Sequence, residues 1–212
     1  MSDRGTRASL VAFDLGGVLV RICRDWHEGC RAAGVAPTAD PSATDPVRLR
    51  ELVSRHQRGE LPHERFCEGL ASCAAGSFPP ELAAAVHDAW ILGEYDGVTP
   101  LLERLRAAGH ATACLSNTNA PHWRQLQAMP FFSRLHHRHA SHLLRLEKPD
   151  PRIFEAFERA VGFAGPDIAY FDDLADNCAA AAAAGWRVCR IDPMRETAPQ
   201  IESALREWTL LA

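Results

Sequence analysis

Short apolar runs that end in polar residues constrain the fold of this sequence most strongly. Four of them, with the residue that follows each, are 9–13 before Asp14, 110–115 before Ser116, 167–171 before Asp172 and 186–191 before Asp192. Apolar runs of this length, bounded by turn residues, are typical of buried strands. A weaker run at 135–140 predicts a fifth strand.

Helical patterns separate these runs. We predict helices at 101–108, Pro151–Val161 and 176–184 from their apolar spacing, their alanine content and the glycines that follow them. Strands that alternate with helices favour a mostly parallel sheet covered on both faces. The sequence therefore predicts an α/β fold with a Rossmann-like parallel sheet core of about five strands.

Residues 21–95 interrupt this alternation. The segment is rich in helix formers, contains turn-rich stretches at 38–46 and 76–80, and has no pattern from which we predict a strand. We therefore predict a helical insert at 21–95, placed after the first strand of a main domain formed by residues 1–20 and 96–212.

Composition excludes several classes of function. The chain has 212 residues and a net charge of -4, which argues against nucleic acid or an anionic membrane as the main partner. No apolar run is long enough to span a bilayer. The polar segment at 1–9 lacks the apolar core of a signal peptide, so we expect a cytoplasmic protein. The 23 basic residues include a single lysine, Lys148.

Polar residues at the strand ends could form one site. The candidates are Asp14, Ser116, Asn117, Lys148, Asp172 and Asp173. Parallel α/β sheets bind ligands at the carboxyl ends of their strands, so these side chains are expected to converge. Three carboxylates in one cleft repel one another unless a cation is present, and oxygen ligands favour Mg²⁺. A carboxylate can also act as a nucleophile, and a lysine can stabilise developing negative charge.

Four motifs in this order resemble those of the haloacid dehalogenase superfamily of hydrolases. They are FDLGGV at 13–18, LSNTN at 115–119, EKPDPRIF at 147–154 and YFDDLADN at 170–177. The resemblance covers nearly the whole chain, and the insert at 21–95 matches the position of the cap domain in this superfamily. The motifs look most like those of bacterial glucose-1-phosphate phosphatases and of the phosphatase domain of soluble epoxide hydrolase.

The resemblance implies a Mg²⁺-dependent phosphatase that acts on a small-molecule phosphate ester, such as a sugar phosphate, through an aspartyl-phosphate. It implies that Asp14 is the nucleophile and that Ser116 and Lys148 bind the phosphoryl oxygens, with Asn117 and Asn177 as supporting polar groups. The implied metal ligands are Asp14, the carbonyl of Gly16, Asp173 and, through its side chain or water, Asp172.

One position departs from the superfamily pattern. Most phosphatases that this chain resembles have a second aspartate two residues after the nucleophile, where it serves as general acid and base, but Gly16 stands there. General acid catalysis contributes about 10²–10⁴-fold in rate. Either the leaving group is good, as in a sugar 1-phosphate, or another residue or water supplies the proton. Asp25 and His27 are candidates by sequence proximity.

Two other functions stay open. A metal-independent 2-haloacid dehalogenase also uses an aspartate nucleophile and a lysine, and Arg21 or Arg24 could bind its substrate carboxylate. The adjacent Asp172 and Asp173 argue against it, because they would repel the nucleophile without a cation. The second alternative is a binding protein that lost turnover because of Gly16. A histidine tract at 136–142 is better explained by the weak strand than by a metal site.

Overall fold

The computed structural model describes residues 9–212 and contains a five-stranded parallel sheet. The strands in chain order are β1 Leu10–Phe13, β2 Val20–Ile22, β3 Ile91–Glu94, β4 Ala111–Ser116, β5 His137–Ala140, β6 Ile168–Asp172 and β7 Arg187–Arg190. The main sheet has the order β5-β4-β1-β6-β7, and every neighbouring pair in it is parallel. This confirms the predicted α/β fold, including the weak fifth strand.

Helices cover both faces of this sheet. They are α1 Trp26–Ala32, α2 Pro41–Thr44, α3 Pro46–Gln57, α4 His63–Cys73, α5 Pro80–Asp88, α6 Val98–Ala107, α7 Ala120–Gln127, α8 Ser141–Leu144, α9 Pro151–Val161, α10 Ala175–Ala183 and α11 Thr197–Glu207, with 3-10 turns at Pro130–Arg134 and Gly165–Asp167. The predicted helices appear as α6, α9 and α10, shifted by at most three residues at their starts.

Two apolar cores lie on opposite faces of the sheet. Phe13 and Phe171 pack into one core with α6 and α11, whereas Leu10 and Tyr170 pack into the other with α9. Side chains alternate between faces along a strand, so β1 and β6 contribute to both cores. Because β1 is the central strand, it is buried along its full length.

The insert contains two strands that the sequence analysis missed. β2 and β3 pair antiparallel at the base of the segment and enclose α1 to α5 between them. The expectation of no strand in 21–95 is therefore wrong. β2 is only three residues long and continues the apolar run of β1, while β3 contains Gly93 and the exposed Leu92, so neither shows the usual strand pattern.

Helices α1, α4 and α5 bury an apolar cluster of their own, centred on Trp26, Phe66, Leu70 and Val86. The division of the chain into a main domain and an insert at 21–95 stays a proposal, and residues 1–8 of the first segment lie outside the described residues. Among residues 9–212, no helix has the length and apolar character needed to cross a membrane.

Candidate active site

Asp14 lies immediately after β1, at the carboxyl end of the central strand. Its backbone N–H donates to the carbonyl of Phe171 at 2.8 Å, which continues the pairing of β1 with β6. Its Oδ1 accepts from the N–H of Leu15 at 2.7 Å, and the nearby Ser116 side chain acts to lower the pKa of its carboxyl group. Burial raises the pKa of Asp14, and this effect is partly offset by the charge of Lys148.

Lys148 is 3% exposed and lies between two carboxylates. Its Nζ is 3.2 Å from Asp14 Oδ1 and 2.7 Å from Asp172 Oδ2. Burial acts to lower the pKa of Lys148, but the two carboxylates more than offset it and raise the pKa, so the ammonium stays charged. Asn117 holds the backbone of this residue, because its Oδ1 accepts from the Lys148 N–H and its Nδ2 donates to the Lys148 carbonyl, both at 2.8 Å. Asn117 thus positions the lysine.

Asp172 has hydrogen bonds on both carboxylate oxygens. Oδ2 accepts from Lys148 Nζ and, at 2.6 Å, from the hydroxyl of Tyr170. Oδ1 accepts from the N–H of Leu174 at 2.9 Å and from Asn177 Nδ2 at 3.1 Å. Burial acts to raise the pKa of Asp172, but the charge of Lys148 and these hydrogen bonds lower it. Its most direct role here is to hold Lys148, while its role as a metal ligand stays a prediction.

Asp173 provides the third carboxylate. Oxygen atoms of Asp14, Asp172 and Asp173 all lie within 4.8 Å of one another. Burial, followed by repulsion from Asp14 and Asp172, raises the pKa of Asp173 to about 7. Gly17 makes this approach possible: a Cβ at Gly17 would lie 2.6 Å from Asp173 Oδ2, and the residue has a φ of +76°. The three carboxylates outnumber the single ammonium, and their oxygens are ligands that fit a divalent cation.

Gly16 lies at the edge of this cluster. Its φ is outside the left-handed region, and a Cβ there would meet only the side chain of Ile22, at 3.0 Å from Cδ1. The site of the missing aspartate is therefore partly filled by Ile22. The backbone at this position would therefore accept an aspartate, and nothing in its conformation requires a glycine.

A cavity of about 420 Å³ extends from Gly16 and Ser116 into the insert; we call it the cap cavity. Apolar side chains form much of its wall, including Trp26, Leu49, Val53, Phe66, Leu70 and Trp90. The predicted proton donors are poorly suited to this cavity. Asp25 lines it, but a hydrogen bond from the Glu28 N–H lowers the pKa of Asp25, and His27 is exposed on α1 and absent from the lining.

The two arginines considered as partners for a substrate carboxylate, Arg21 and Arg24, differ in how many contacts fix their side chains. Arg21 donates to the carbonyl of Glu94 at 2.8 Å, pairs with Glu196 at 2.7 Å and stacks on Tyr95. Arg24 is more exposed, pairs with Glu28 at 3.3 Å and lines the cap cavity. Only Arg24 therefore faces the space that a substrate would fill.

Sequence reasoning missed two features of this site. Tyr170 points its hydroxyl at Lys148 and Asp172, although its place in an apolar strand suggested only core packing. His56 and His87 line the cap cavity beside His63, while the tract at 136–142 does not line it, although His142 lies near His56. In this tract, His136 bonds Thr112 and His139 packs on Phe157.

The sequence model of the haloacid dehalogenase-like hydrolase family matches residues 8–185. This span contains every member of the strand-end cluster, which we define as Asp14, Lys148, Asp172 and Asp173. The chain belongs to this family. The resemblance seen in the four motifs is thereby confirmed.

Solved structures share the fold of this haloacid dehalogenase-like (HAD-like) hydrolase. A HAD family enzyme from Bacteroides thetaiotaomicron has a TM-score of 0.76 at 19% identity, over 92% of this chain and 98% of that one. The same enzyme was also solved in complex with magnesium and inorganic phosphate. A predicted HAD-like family hydrolase from Porphyromonas gingivalis has a TM-score of 0.74 at 22% identity, over 94% and 98% of the two chains.

The L-2-haloacid dehalogenase from Xanthobacter autotrophicus, solved with chloropropionic acid covalently bound, is similar at a TM-score of 0.64 and 19% identity, over 97% of this chain and 85% of that one. All of these identities are low, so the likenesses show the fold alone. The chemistry of this chain has to be argued from its own residues.

Proposed function

We propose that this hydrolase is a Mg²⁺-dependent phosphatase that cleaves a small phosphate monoester. The observation that carries the proposal is the charge balance of the strand-end cluster. Its three carboxylates face a single ammonium, and Asp173 has no charged partner of its own within the cluster. A divalent cation would offset the excess negative charge of the cluster, and it would also bind a phosphoryl oxygen of the ester.

In the proposed reaction, an oxygen of Asp14 attacks the phosphorus atom of the ester. The bond between phosphorus and the leaving oxygen breaks, and an aspartyl-phosphate forms. Water then attacks the phosphorus, which releases inorganic phosphate and restores the Asp14 carboxylate. Lys148 keeps the nucleophile oriented through its 3.2 Å contact, and with Ser116 it stabilises negative charge on the phosphoryl oxygens.

Mg²⁺, held by Asp14, Asp173 and the Gly16 carbonyl, would supply charge neutralisation for the phosphoryl group when bound. Asp172 contributes by holding Lys148 through its Oδ2, and Tyr170 and Asn177 hold Asp172. The ammonium is thereby kept in one position while the charge on Asp14 changes during the reaction.

The leaving group decides how serious the absence of an acid at Gly16 is. A phenol is a far better leaving group than an alkyl alcohol, so an aryl ester needs less protonation during bond cleavage. Apolar side chains form more of the cap cavity's wall than polar ones such as Asp40, Ser42 and Gln57, so the wall suits such a group better than a sugar, which needs a polar partner for each hydroxyl it buries. We therefore favour an ester with an apolar, aromatic leaving group over a sugar phosphate.

The test is phosphate release from 1-naphthyl phosphate, p-nitrophenyl phosphate, glucose 1-phosphate and glucose 6-phosphate, with Mg²⁺ and with chelator. We expect release that requires Mg²⁺, with the highest kcat/KM on 1-naphthyl phosphate. Asp14→Asn is the control for contaminating phosphatases. Faster turnover of glucose 1-phosphate would overturn the aromatic preference, and no release from any ester would overturn the phosphatase.

A second candidate, haloacid dehalogenation, is favoured by one observation. A halide leaves without a proton, so Gly16 would be no handicap, and Arg24 lines the cavity where a carboxylate could bind. The same protein preparation should be incubated with 2-chloropropionate and assayed for chloride. We expect none, because Asp173 would place an uncompensated carboxylate beside the nucleophile without a cation.

A further inference from the structure

Three histidines from separate helices meet at the wall of the cap cavity. His56 lies near the end of α3, His63 begins α4, and His87 lies near the end of α5. Their ring centroids are 4.8 to 5.7 Å apart. One ring nitrogen from each lies within 4.8 Å of the corresponding nitrogens of the other two. We call this group the histidine cluster.

The hydrogen bonds of His56 fix which of its nitrogens is free. Nδ1 is 2.9 Å from the carbonyl of Leu61, which can only accept, so Nδ1 carries the proton. Nε2 therefore presents a lone pair, and it is buried without a hydrogen-bond partner among residues 9–212. Metal-binding histidines commonly donate the other ring N–H to a carbonyl in this way. His56 is only 4% exposed, so water does not readily satisfy this atom.

His87 also has one buried ring nitrogen without a hydrogen-bond partner among the described residues, but this nitrogen carries the proton, because the other one accepts a hydrogen bond. The residue is 7% exposed, and the nitrogen that carries the proton is Nδ1. Its Nε2 lies 3.2 Å from Asn119 Nδ2, which donates to it. A metal could replace this donor at Nε2, or it could bind Nδ1 after the proton moves to the other nitrogen. Burial lowers the pKa values of His56 and His87, which keeps both imidazoles neutral, as metal binding requires.

His63 is the adaptable member of the cluster. It is only half-buried, and its nearest polar contact is Cys67 Sγ, 3.6 Å from Nε2. Nitrogen ligands about 2.0–2.1 Å from a tetrahedral metal lie roughly 3.4 Å apart, so binding needs a contraction of the cluster. Movement of the His63 side chain at the first turn of α4 could supply most of it.

We propose that His56, His63 and His87 form a binding site for a borderline transition-metal ion of the Zn²⁺ class, separate from the acidic Mg²⁺ site. Imidazole nitrogen suits such ions better than Mg²⁺, which prefers oxygen. Because His56 and His87 line the cap cavity, the fourth coordination position is available to water or to a bound molecule. The alternative is an aromatic cluster around Phe66, whose ring stacks on His56 at 4.3 Å.

The test uses the tag-free full chain carrying Asp173→Asn, which weakens the acidic site, in buffer with excess Mg²⁺. Co²⁺ is titrated while the visible absorption of tetrahedral coordination is followed, and Zn²⁺ affinity is measured by competition. We expect one equivalent to bind. His63→Gln and His56→Gln should each weaken metal binding by at least about 10-fold. Changing a residue that only hydrogen-bonds a metal ligand already lowers metal affinity by about 10- to 100-fold, so losing a ligand should cost no less.

His137→Gln is the matched control, because this residue is also half-buried but lies in β5, away from the cluster. It should leave the absorption unchanged. Thermal unfolding is a second readout: Zn²⁺ should raise the Tm of the parent and the control but not of His63→Gln. His63 is not buried, so this variant decides the question even where His56→Gln fails to fold. No tetrahedral absorption, or equal affinity in His63→Gln, would overturn the site.

Discussion

The strand-end cluster and the cap cavity adjoin each other but satisfy their polar groups differently. In the strand-end cluster, Lys148 and Asp172 have charged or hydrogen-bonded partners for nearly every polar atom. In the cap cavity, His56 Nε2 and His87 Nδ1 are buried without hydrogen-bond partners in the described chain, although Asp88 Oδ1 lies 3.9 Å from His87 Nδ1. The first region is organised before any substrate arrives, whereas the second leaves polar atoms available to a ligand.

This difference suggests a division of work. A preorganised charge cluster can serve any phosphate ester, because the transferred group is always the same. The cavity meets only the leaving group, so its wall should set the ranking of substrates. Substitutions in the two regions should therefore have different kinetic effects.

Asp14→Asn should produce the largest effect. The amide is a poor nucleophile, so turnover of every ester should fall by at least about 10⁴-fold. Lys148 keeps its 2.7 Å contact with Asp172, so the fold should persist. Phosphate release and circular dichroism check both statements. Full activity in this variant would rule out Asp14 as the nucleophile.

Gly16→Asp should produce a gain that depends on the leaving group. A carboxyl group placed there could protonate the leaving oxygen, which should raise kcat for alkyl phosphates by about 10²-fold and leave aryl phosphates nearly unchanged. The backbone allows the change, and only the flexible Ile22 side chain must move. Gly16→Asn controls for the steric effect. An equal change on both kinds of ester would show that proton donation does not limit the wild-type enzyme.

The sequence predicted the strand-end cluster well for a physical reason. Its members lie at the end of a buried strand, directly after one, or in the turn before α9, all at the same edge of a parallel sheet, so the fold class alone brings Asp14, Lys148 and Asp173 together. The sequence could not predict which hydrogen bonds the side chains of the cluster make. The resemblance implies Asp172 as a metal ligand, through its side chain or water, and this stays a prediction. The hydrogen bonds that both of its oxygens accept could not be predicted from the sequence.

The cap cavity was much harder to predict. His56, His63 and His87 are spread over three helices whose packing no local pattern specifies, so their meeting could not be seen in the sequence. The histidines at 136–142 are close together in the sequence but have separate partners: His136 bonds Thr112, His139 packs on Phe157, and His142 lies near His56. Short strands at the base of the insert, β2 and β3, were missed because three or four residues carry too little periodicity.

Gly17→Ala should test how closely the strand-end cluster is built. The new Cβ would lie 2.6 Å from Asp173 Oδ2 in a left-handed backbone conformation, so Asp173 must move. We expect Mg²⁺ affinity to fall by about 10-fold, measured from the Mg²⁺ dependence of kcat. Gly16→Ala is the matched neighbour, since it meets only Ile22. Equal Mg²⁺ affinity in the two variants would contradict a role for Asp173 in binding the ion.

Val53→Asn should test the cap cavity alone. Val53 lines the cavity from α3, and the loss of apolar contact should lower kcat/KM for 1-naphthyl phosphate by about 5- to 10-fold, or about 1–1.4 kcal/mol. Activity on a small phosphorylated substrate such as acetyl phosphate, an acyl phosphate, should not change. Val47→Asn on the same helix, where the side chain is exposed, is the control. A uniform loss on all esters would mean that the cavity does not hold the leaving group.

Asp173→Asn should have the smallest effect on the metal-free protein, and it should stabilise the fold. Because the folded-state pKa of Asp173 is about 7 against an ordinary value of 3.8, the folded state holds an extra proton between these pH values. Wild-type stability in chelator should therefore fall as the pH rises from about 4 to about 7. The full shift is worth about 4 kcal/mol, which partial exposure of the side chain reduces to about 1–2 kcal/mol.

Urea unfolding at pH 8 should show the variant more stable by this amount, with the difference vanishing near pH 4. Added Mg²⁺ should reverse the order at pH 8, because only the wild type gains a bound ion. If the difference in free energy of unfolding between the two proteins stayed the same from pH 4 to pH 8, the charged Asp173 carboxylate would not destabilise the metal-free fold. The main physical argument for Asp173 as a metal ligand would then be lost.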